Sequence, residues 1–438
     1  MDSYRTYLQG KKVTVLGLGL LGKLIGDIQF LSKQGVILTV TDLKTRKELA
    51  PSLKLLKGYK NITYVLGKHQ YKDFENRDFI LKGQGTRLDS PYILHARKNK
   101  IPIEMDEVLF LKLAPPLHCI GITGTRGKTY TTELIYHILK KAGKRVHLGG
   151  NIKGTAALPL LSKVKKGDYV VFELSSWQLQ GFGEAKISPQ TAVFTSFMPD
   201  HMNYYDGNLK EYFKDKSYIF SNQKEKDILV VRPNVLPLVK GRSKSKILLA
   251  KKSMVSSWKI NTPGEHMKEN TACAVLVART LGISEVNIKK AVENFKGVSG
   301  RLELVKKYKG IQIYNDTTAT TPEATTQGLE SLATQKKKVI LIAGGTDKKL
   351  DPKILGNAIS KYVKHLFLLS GSGTEKLKRH LTMECVESKN LKALVASAIK
   401  VAKRGDIILF SPGFSSFELF KNEYDRGEQF VHIIKNLK

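Results

Sequence analysis

The stretch GITGTRGKTYTTE, Gly121 to Glu133, sets glycines, a lysine and hydroxyls where a polyphosphate would need them. A strand-like run, CIGIT, leads in, and the helical pattern TYTTELIYHILKKAG leads out. Backbone N–H groups around Gly124, Thr125, Arg126 and Gly127 can cradle phosphates at the start of that helix. Lys128 supplies a point charge to the β- and γ-phosphates of ATP, and the Thr129 hydroxyl suits Mg²⁺. The familiar phosphate loop, G-x-x-x-x-G-K-[ST], fails by one residue, because Ile122 stands where its first glycine belongs. That missing glycine removes none of these functions. A turn without a ligand would have little use for Lys and Thr at those two positions.

Further along, YVVFELSS reads as a buried strand ending in Glu173, followed by Ser175 and Ser176. A carboxylate at the C-terminal edge of a parallel strand is well placed for Mg²⁺. MPDHMNYYDG brings His201, which alone would read as a structural histidine. In NLKEYFKDKSYIF, 208–220, a helical reading puts Leu209, Tyr212, Phe213, Ile219 and Phe220 on one apolar stripe. Lys216 falls on that stripe, whereas Lys210 and Lys214 do not. Either Lys216 snorkels its ammonium to water, or burial lowers its pKa and frees the amine to react with CO₂.

Near the N-terminus, Gly17-Leu18-Gly19-Leu20-Leu21-Gly22 follows a strand and precedes a helical pattern. Asp42 ends the next strand, VILTVTD, 20 residues after Gly22. This is the context of a Rossmann βαβ unit, whose glycines let a diphosphate approach a helix N-terminus. Taken alone it favours an NAD enzyme. Another diphosphate, such as a nucleotide-sugar, and glycines kept for helix–strand packing both stay open.

The elements that must position these residues alternate between short β-branched runs and amphipathic helical stretches, the signature of α/β architecture with parallel sheets. Three blocks are expected, 1–114, 115–299 and 300–438, in keeping with a chain of 438 residues. The composition, 41% hydrophobic and 26% charged, is that of a globular chain with ample core. No apolar run approaches the roughly 20 residues that span a bilayer, so membrane insertion is not expected. The start, MDSYRTYLQGKK, lacks the apolar stretch of a signal peptide. Three scattered cysteines, Cys119, Cys273 and Cys385, suggest neither disulfides nor zinc, and a reducing cytoplasm is the default. The net charge of +34 is spread along the chain without aromatic interleaving or a nucleic-acid motif. A nucleic-acid partner is therefore not expected; a lysine-rich proteome or a strongly anionic substrate explains the charge as well.

GTRGKTYTT, FELSSWQL, DHMNYY, GEHMKEN, NDTTATTPEAT and SPGFSSFELFKNEYDRGEQF, in this order, resemble the Mur ligases, over essentially the whole chain. That family carries a short G-T-x-G-K-[ST] loop for ATP. The resemblance implies a Rossmann-like N-terminal domain, a central ATPase domain of phosphate-loop type and a Rossmann-like C-terminal domain. It implies a monomeric ligase that joins D-glutamate to UDP-N-acetylmuramoyl-L-alanine through an acyl phosphate. Lys128 and Thr129 would hold the ATP phosphates and one Mg²⁺, with Glu173 as a further ligand. His201 would bind a second Mg²⁺ together with a carbamylated Lys216. Asn270 would face adenine, Arg301 would reach the nucleotide, and Asp316 would bind its ribose. The Gly19-Leu20 loop would take the uridine diphosphate in place of NAD, with Asp42 toward the uracil and Lys44 beside it. Asn151, Ser175 and Gln178 would contact the muramoyl-alanine part. Lys348, Thr321, Ser416 and Phe417 would form the D-glutamate pocket. Thr318, Met267 and the turn LKGQGT, 81–86, depart from the pattern of many relatives and bear on substrate grip.

Overall fold

A computed structural model describes residues 3–19, 23–152, 154–332 and 337–437. Leu20, Leu21 and Gly22 of the first glycine motif lie outside the described residues. The chain divides into two compact units, Met1–Met254 with Asn270–Ile288, and Val255–Glu269 with Lys289–Lys438.

The first unit carries two sheets. In one, β1 (Lys12–Leu16), β2 (Ile37–Asp42), β3 (Ile62–Leu66), β4 (Phe79–Lys82) and β5 (Ile103–Glu104) lie in the order 3-2-1-4-5. Every pairing is parallel. The order reverses at β1, so the loops leaving β1 and β4 open side by side at the C-terminal edge, where such sheets bind ligands. KVTVL and FILK are apolar almost throughout, as strands covered on both faces must be.

The second sheet holds β6 (His118–Thr123), β7 (Val146–Gly150), β8 (Tyr169–Glu173), β9 (Thr191–Phe194), β10 (Ile228–Val231) and β11 (Lys246–Leu249). Its order is 11-10-9-6-8-7, again all parallel. The β8-to-β9 connection passes over β6, which makes β6 the point of reversal. Register sets Ile122 beside Glu173 and Thr123 beside Phe194. Three strand ends therefore deliver their next residues to one rim. The helix Lys128–Lys141 closes over this sheet by burying Leu134, Ile135, Ile138 and Leu139, spaced for one helical face.

The second unit holds β12 (Glu303–Tyr308), β13 (Ile311–Asn315), β14 (Val339–Gly344), β15 (Val363–Leu369), β16 (Cys385–Ser388) and β17 (Ile407–Phe410), in the order 12-13-17-14-15-16. It departs from an all-parallel sheet in one place, the antiparallel edge pair β12–β13. Alternation along β14 sends Val339, Leu341 and Ala343 to one core and Ile340 and Ile342 to the other. Among the described residues no helix is long and apolar enough to cross a membrane.

Candidate active site

The chain leaves β6 into a loop that only glycines can make. Gly124 has φ +144° and Gly127 φ +89°. A Cβ on Gly124 would collide with Thr195 and Ser196, and one on Gly127 with the Asn270 side chain. The end of β9 pins the loop from the other side. Thr125 N–H donates to the Ser196 carbonyl at 2.8 Å, Arg126 N–H to Ser196 Oγ at 2.8 Å, and Thr195 Oγ1 to the Arg126 carbonyl at 2.6 Å. The helix Lys128–Lys141 follows at once, so its first N–H groups face the rim, with Thr129 half-buried there.

Two ammonium groups meet on this loop. Lys128 Nζ donates to the carbonyls of Gly124 at 3.0 Å and Thr125 at 3.3 Å. Lys216 Nζ donates to the same Gly124 carbonyl at 3.0 Å, and lies 4.9 Å from the centre of the Tyr212 ring. Lys216 is 2% exposed, so it does not snorkel to water. Burial, and then the charge of Lys128, hold its pKa well below the ordinary lysine value, with Asp200, Glu173 and Asp215 opposing. The helix that presents it spans Leu209–Ser217. The apolar stripe read from the sequence is therefore corrected, since Ile219 and Phe220 lie past the helix end. Tyr212, Asp215 and Lys216 form the buried face, whereas Leu209 stays 38% exposed.

Glu173, the last residue of β8, is 3% exposed, and among the described residues its Oε2 has no hydrogen-bond partner. An orphaned carboxylate oxygen beside a phosphate-type loop is a seat for a cation. Burial and the charge of Glu173 together raise the pKa of Glu133 on the adjoining helix. His201 sits in the left-handed region, φ +54°, with its ring 4.8 Å from that of Trp177. Burial lowers its pKa against the pull of Asp200, and Lys128, Lys216 and Arg126 push the same way as burial. Asp200 in turn pairs with Arg126 at 2.9 Å. Among the described residues no three His, Cys, Asp or Glu side chains gather into a metal cluster. The donors that fit a cation here are Glu173, the Thr129 hydroxyl and His201, while Lys216 as it stands is a hydrogen-bond donor.

Other expected residues of this unit are placed as follows. Asn270 is buried against Gly127. Asn151 is exposed, with its N–H on the Glu173 carbonyl at 2.7 Å. Ser175 and Gln178 form a capping box that starts the helix Ser176–Glu184, and Gln178, fully buried, also donates to Glu107. Asp42 accepts from Gly19 N–H on Oδ2 at 2.9 Å and from Lys44 N–H on Oδ1 at 2.8 Å, so one oxygen holds the first glycine loop and the other its own turn after β2. The Lys44 side chain is exposed.

In the second unit Asp316 is buried. It accepts from Leu302 N–H at 3.1 Å and from the Ser411 hydroxyl at 2.7 Å, and burial pushes its pKa up to about 7. Arg301 is exposed. Lys348 Nζ donates to Thr320 Oγ1 at 2.9 Å, and half-buried Thr321 precedes the helix Pro322–Leu332. Ser416 is buried with no partner on its hydroxyl among the described residues, whereas Phe417 is 67% exposed. Thr318, a departure from the resemblance, donates to the Gly300 carbonyl at 2.8 Å. Met267, another, is buried. Sequence reasoning passed over Trp177, which touches His201, and Arg426, whose fully buried guanidinium donates to the carbonyls of Thr317 and Phe414. A lone arginine in the largely polar stretch EYDRGEQ gives little signal of burial.

Three family models match in chain order: the MurD-like N-terminal domain of Mur ligases over residues 11–104, the Mur ligase middle domain over 122–235, and the Mur ligase glutamate ligase domain over 300–414. UDP-N-acetylmuramoylalanine–D-glutamate ligase of Borreliella burgdorferi (strain ZS7) is 34% identical, covering 97% of each chain. The enzyme of that name from Roseiflexus sp. (strain RS-1) is 33% identical over 98% of this chain and 99% of its own. That of Clostridium kluyveri (strain NBRC 12016) is 32% identical over 100% and 99%. Among solved structures, UDP-N-acetylmuramate-alanine ligase MurC from Thermotoga maritima superposes with a TM-score of 0.60 at 18% identity, covering 98% of this chain and 100% of that one. MurF ligase from Thermotoga maritima, in complex with ADP, gives 0.59 at 19% identity, covering 91% and 94%. These two likenesses speak for the fold alone. With three domain models matched in order and relatives above 30% identity along nearly its whole length, this chain belongs to the Mur ligase family.

Proposed function

We propose that this chain is an ATP-dependent, amide-bond-forming ligase that adds D-glutamate to UDP-N-acetylmuramoyl-L-alanine in peptidoglycan precursor synthesis. The observation that carries the reading is end-to-end identity of 32–35% to ligases named for that reaction. It is supported by the convergence of Lys128, Lys216, Glu173 and His201 around one phosphate-type loop.

In this reading residues 1–114 bind the uridine diphosphate through the Gly19-Leu20 loop, Asp42 and Lys44. Residues 115–299 bind ATP through Gly124–Thr129 and Asn270, with Arg301 and Asp316 contributed by residues 300–438. Asn151, Ser175 and Gln178 border the muramoyl-alanine, Ser175 and Gln178 by holding the rim in shape. Lys348, Thr321, Ser416 and Phe417 receive D-glutamate. Mg²⁺ would be held by Glu173 and Thr129, and by His201 with a carbamylated Lys216, and when bound it draws charge from the phosphates. Lys128 leaves the Gly124 carbonyl for the γ-phosphate and steadies it while the alanine carboxylate attacks in line, the bond to the β–γ bridging oxygen breaks, and ADP leaves an acyl phosphate behind. The amine of D-glutamate then attacks the acyl phosphate and phosphate leaves. The enzyme acts as a monomer in the cytoplasm.

The test is an acceptor screen with ATP, Mg²⁺ and UDP-N-acetylmuramoyl-L-alanine, reading phosphate release for each amino acid. D-Glutamate should be fastest. A clear lead for L-lysine or meso-diaminopimelate would overturn the acceptor, and release with no acceptor dependence would overturn the ligase reading.

A further inference from the structure

The turn after β4 touches both halves of the first unit. On one side it backs the first glycine loop: Gly83 N–H donates to the Leu16 carbonyl at 2.9 Å, and a Cβ on Gly83 would press on the Leu16 and Gly17 carbonyls. Lys82, itself buried, holds the turn shut through the carbonyls of Thr86 at 2.7 Å and Gly83 at 3.3 Å. On the other side Arg87 reaches 117 residues along the chain. Its guanidinium donates to the Tyr204 carbonyl at 2.6 Å, lies 5.1 Å from the centre of the Tyr204 ring and faces Asp206 at 3.5 Å. Asp89 orients it at 2.9 Å.

Tyr204 belongs to the turn begun by His201, its N–H donating to the His201 carbonyl at 2.9 Å. Trp177 packs on both rings, 4.8 Å from His201 and 5.3 Å from Tyr204. Two residues of this turn, His201 and Asp206, are held in the left-handed region, which an unsupported loop would not keep. Side chains outside the turn hold it: Gln180 Nε2 donates to the Tyr204 hydroxyl at 3.2 Å, the Tyr205 hydroxyl donates to Asp215 at 3.0 Å, and Arg87 ties it to the turn after β4.

We propose that Arg87 is a positioning residue that couples the nucleotide-sugar loop to the His201 turn, so that filling one site sets the geometry of the other. The proposal rests on the functional reading above, in which the glycine loop holds the uridine diphosphate and His201 serves the metal–phosphate side. Coupling of this kind is reciprocal: each ligand tightens the other by the same factor.

Calorimetric titration measures that factor in the full-length protein, as the affinity for Mg²⁺ and a non-hydrolysable ATP analogue with and without saturating UDP-N-acetylmuramoyl-L-alanine. The wild type should show about fivefold or more, Arg87→Ala about one, and Arg87→Lys, which can still donate to a carbonyl, an intermediate value. A second readout uses the fact that the chain has only two tryptophans, Trp177 and Trp258. With Trp258→Phe as background, the sugar nucleotide alone should change Trp177 emission, and Arg87→Ala should abolish that change while still binding the sugar. A factor of one in the wild type, or a factor and emission change unaltered by Arg87→Ala, overturns the proposal. If the wild type binds no UDP-N-acetylmuramoyl-L-alanine at all, the functional reading falls and this inference with it.

Discussion

Asp316→Asn should make the protein more stable and the enzyme worse. The carboxyl of Asp316 is buried just beyond β13, and burial raises its pKa from the ordinary 3.8 to about 7. Between those two values the folded chain binds a proton that the unfolded chain releases, so stability falls as pH rises through the window and levels off above it. The difference of about three pH units amounts to about 4 kcal/mol of destabilisation by pH 8, and about 2 kcal/mol at pH 5.5. Asparagine keeps the shape without the charge. Its carbonyl can still accept from Leu302 N–H, and its amide can donate to Ser411 Oγ, which turns its own proton to Thr325 Oγ1 3.0 Å away. The variant should therefore gain stability, and the gain should grow by about 2 kcal/mol from pH 5.5 to pH 8. Scanning calorimetry at both pH values reads this as a rise of about 2–4 °C per kcal/mol in the transition of the second unit. Activity should fall, because the proposed ribose contact loses its charge. A stability change independent of pH, or a loss at pH 8, would refute the reasoning.

Three further outcomes are expected. Gly127→Ala places a side chain at φ +89° against Asn270 and should weaken ATP binding at least about tenfold, leaving the sugar nucleotide unaffected; equal ATP affinity in titration would contradict the loop geometry. Lys216→Ala should lose most ligase activity, and short carboxylic acids should restore part of it by standing in for carbamate oxygens; full activity without them would remove Lys216 from the mechanism. NAD and NADP should show no heat of binding where UDP-N-acetylmuramoyl-L-alanine does, since Asp42 is already engaged, Oδ2 by Gly19 N–H and Oδ1 by Lys44 N–H; tight dinucleotide binding lost in Gly19→Val would reverse that assignment.

The parallel sheets and the phosphate-type loop were legible because local chemistry dictates them. Apolar runs buried on both faces can only be inner strands, and GTRGK permits few backbones. The place of Glu173 was legible because an apolar run such as YVVF reads as an inner strand, and Glu173 closes it. What failed to show depended on distance or on where a pattern stops. The stripe through Lys216 was read past Ser217, because spacing alone carries no helix end; Ile219 and Phe220 are buried, but beyond the helix. The structural part of Gln178, a capping box with Ser175 and a bond to Glu107 71 residues away, did not show in the spacing. Arg87 carries little local signal, since beyond neighbouring Asp89 the partners it reaches lie 117 and 119 residues away.

The shared acceptor of Lys128 and Lys216 is a main-chain oxygen, that of Gly124. No codon change at residue 124 can delete a carbonyl, and any replacement that brings a Cβ is barred by Thr195 and Ser196. Selection can therefore reach this junction only through the two lysines. A ligand that displaced both ammonium groups and took the Gly124 carbonyl for itself would engage an atom that point mutation cannot remove, and escape would have to come from the walls of the pocket.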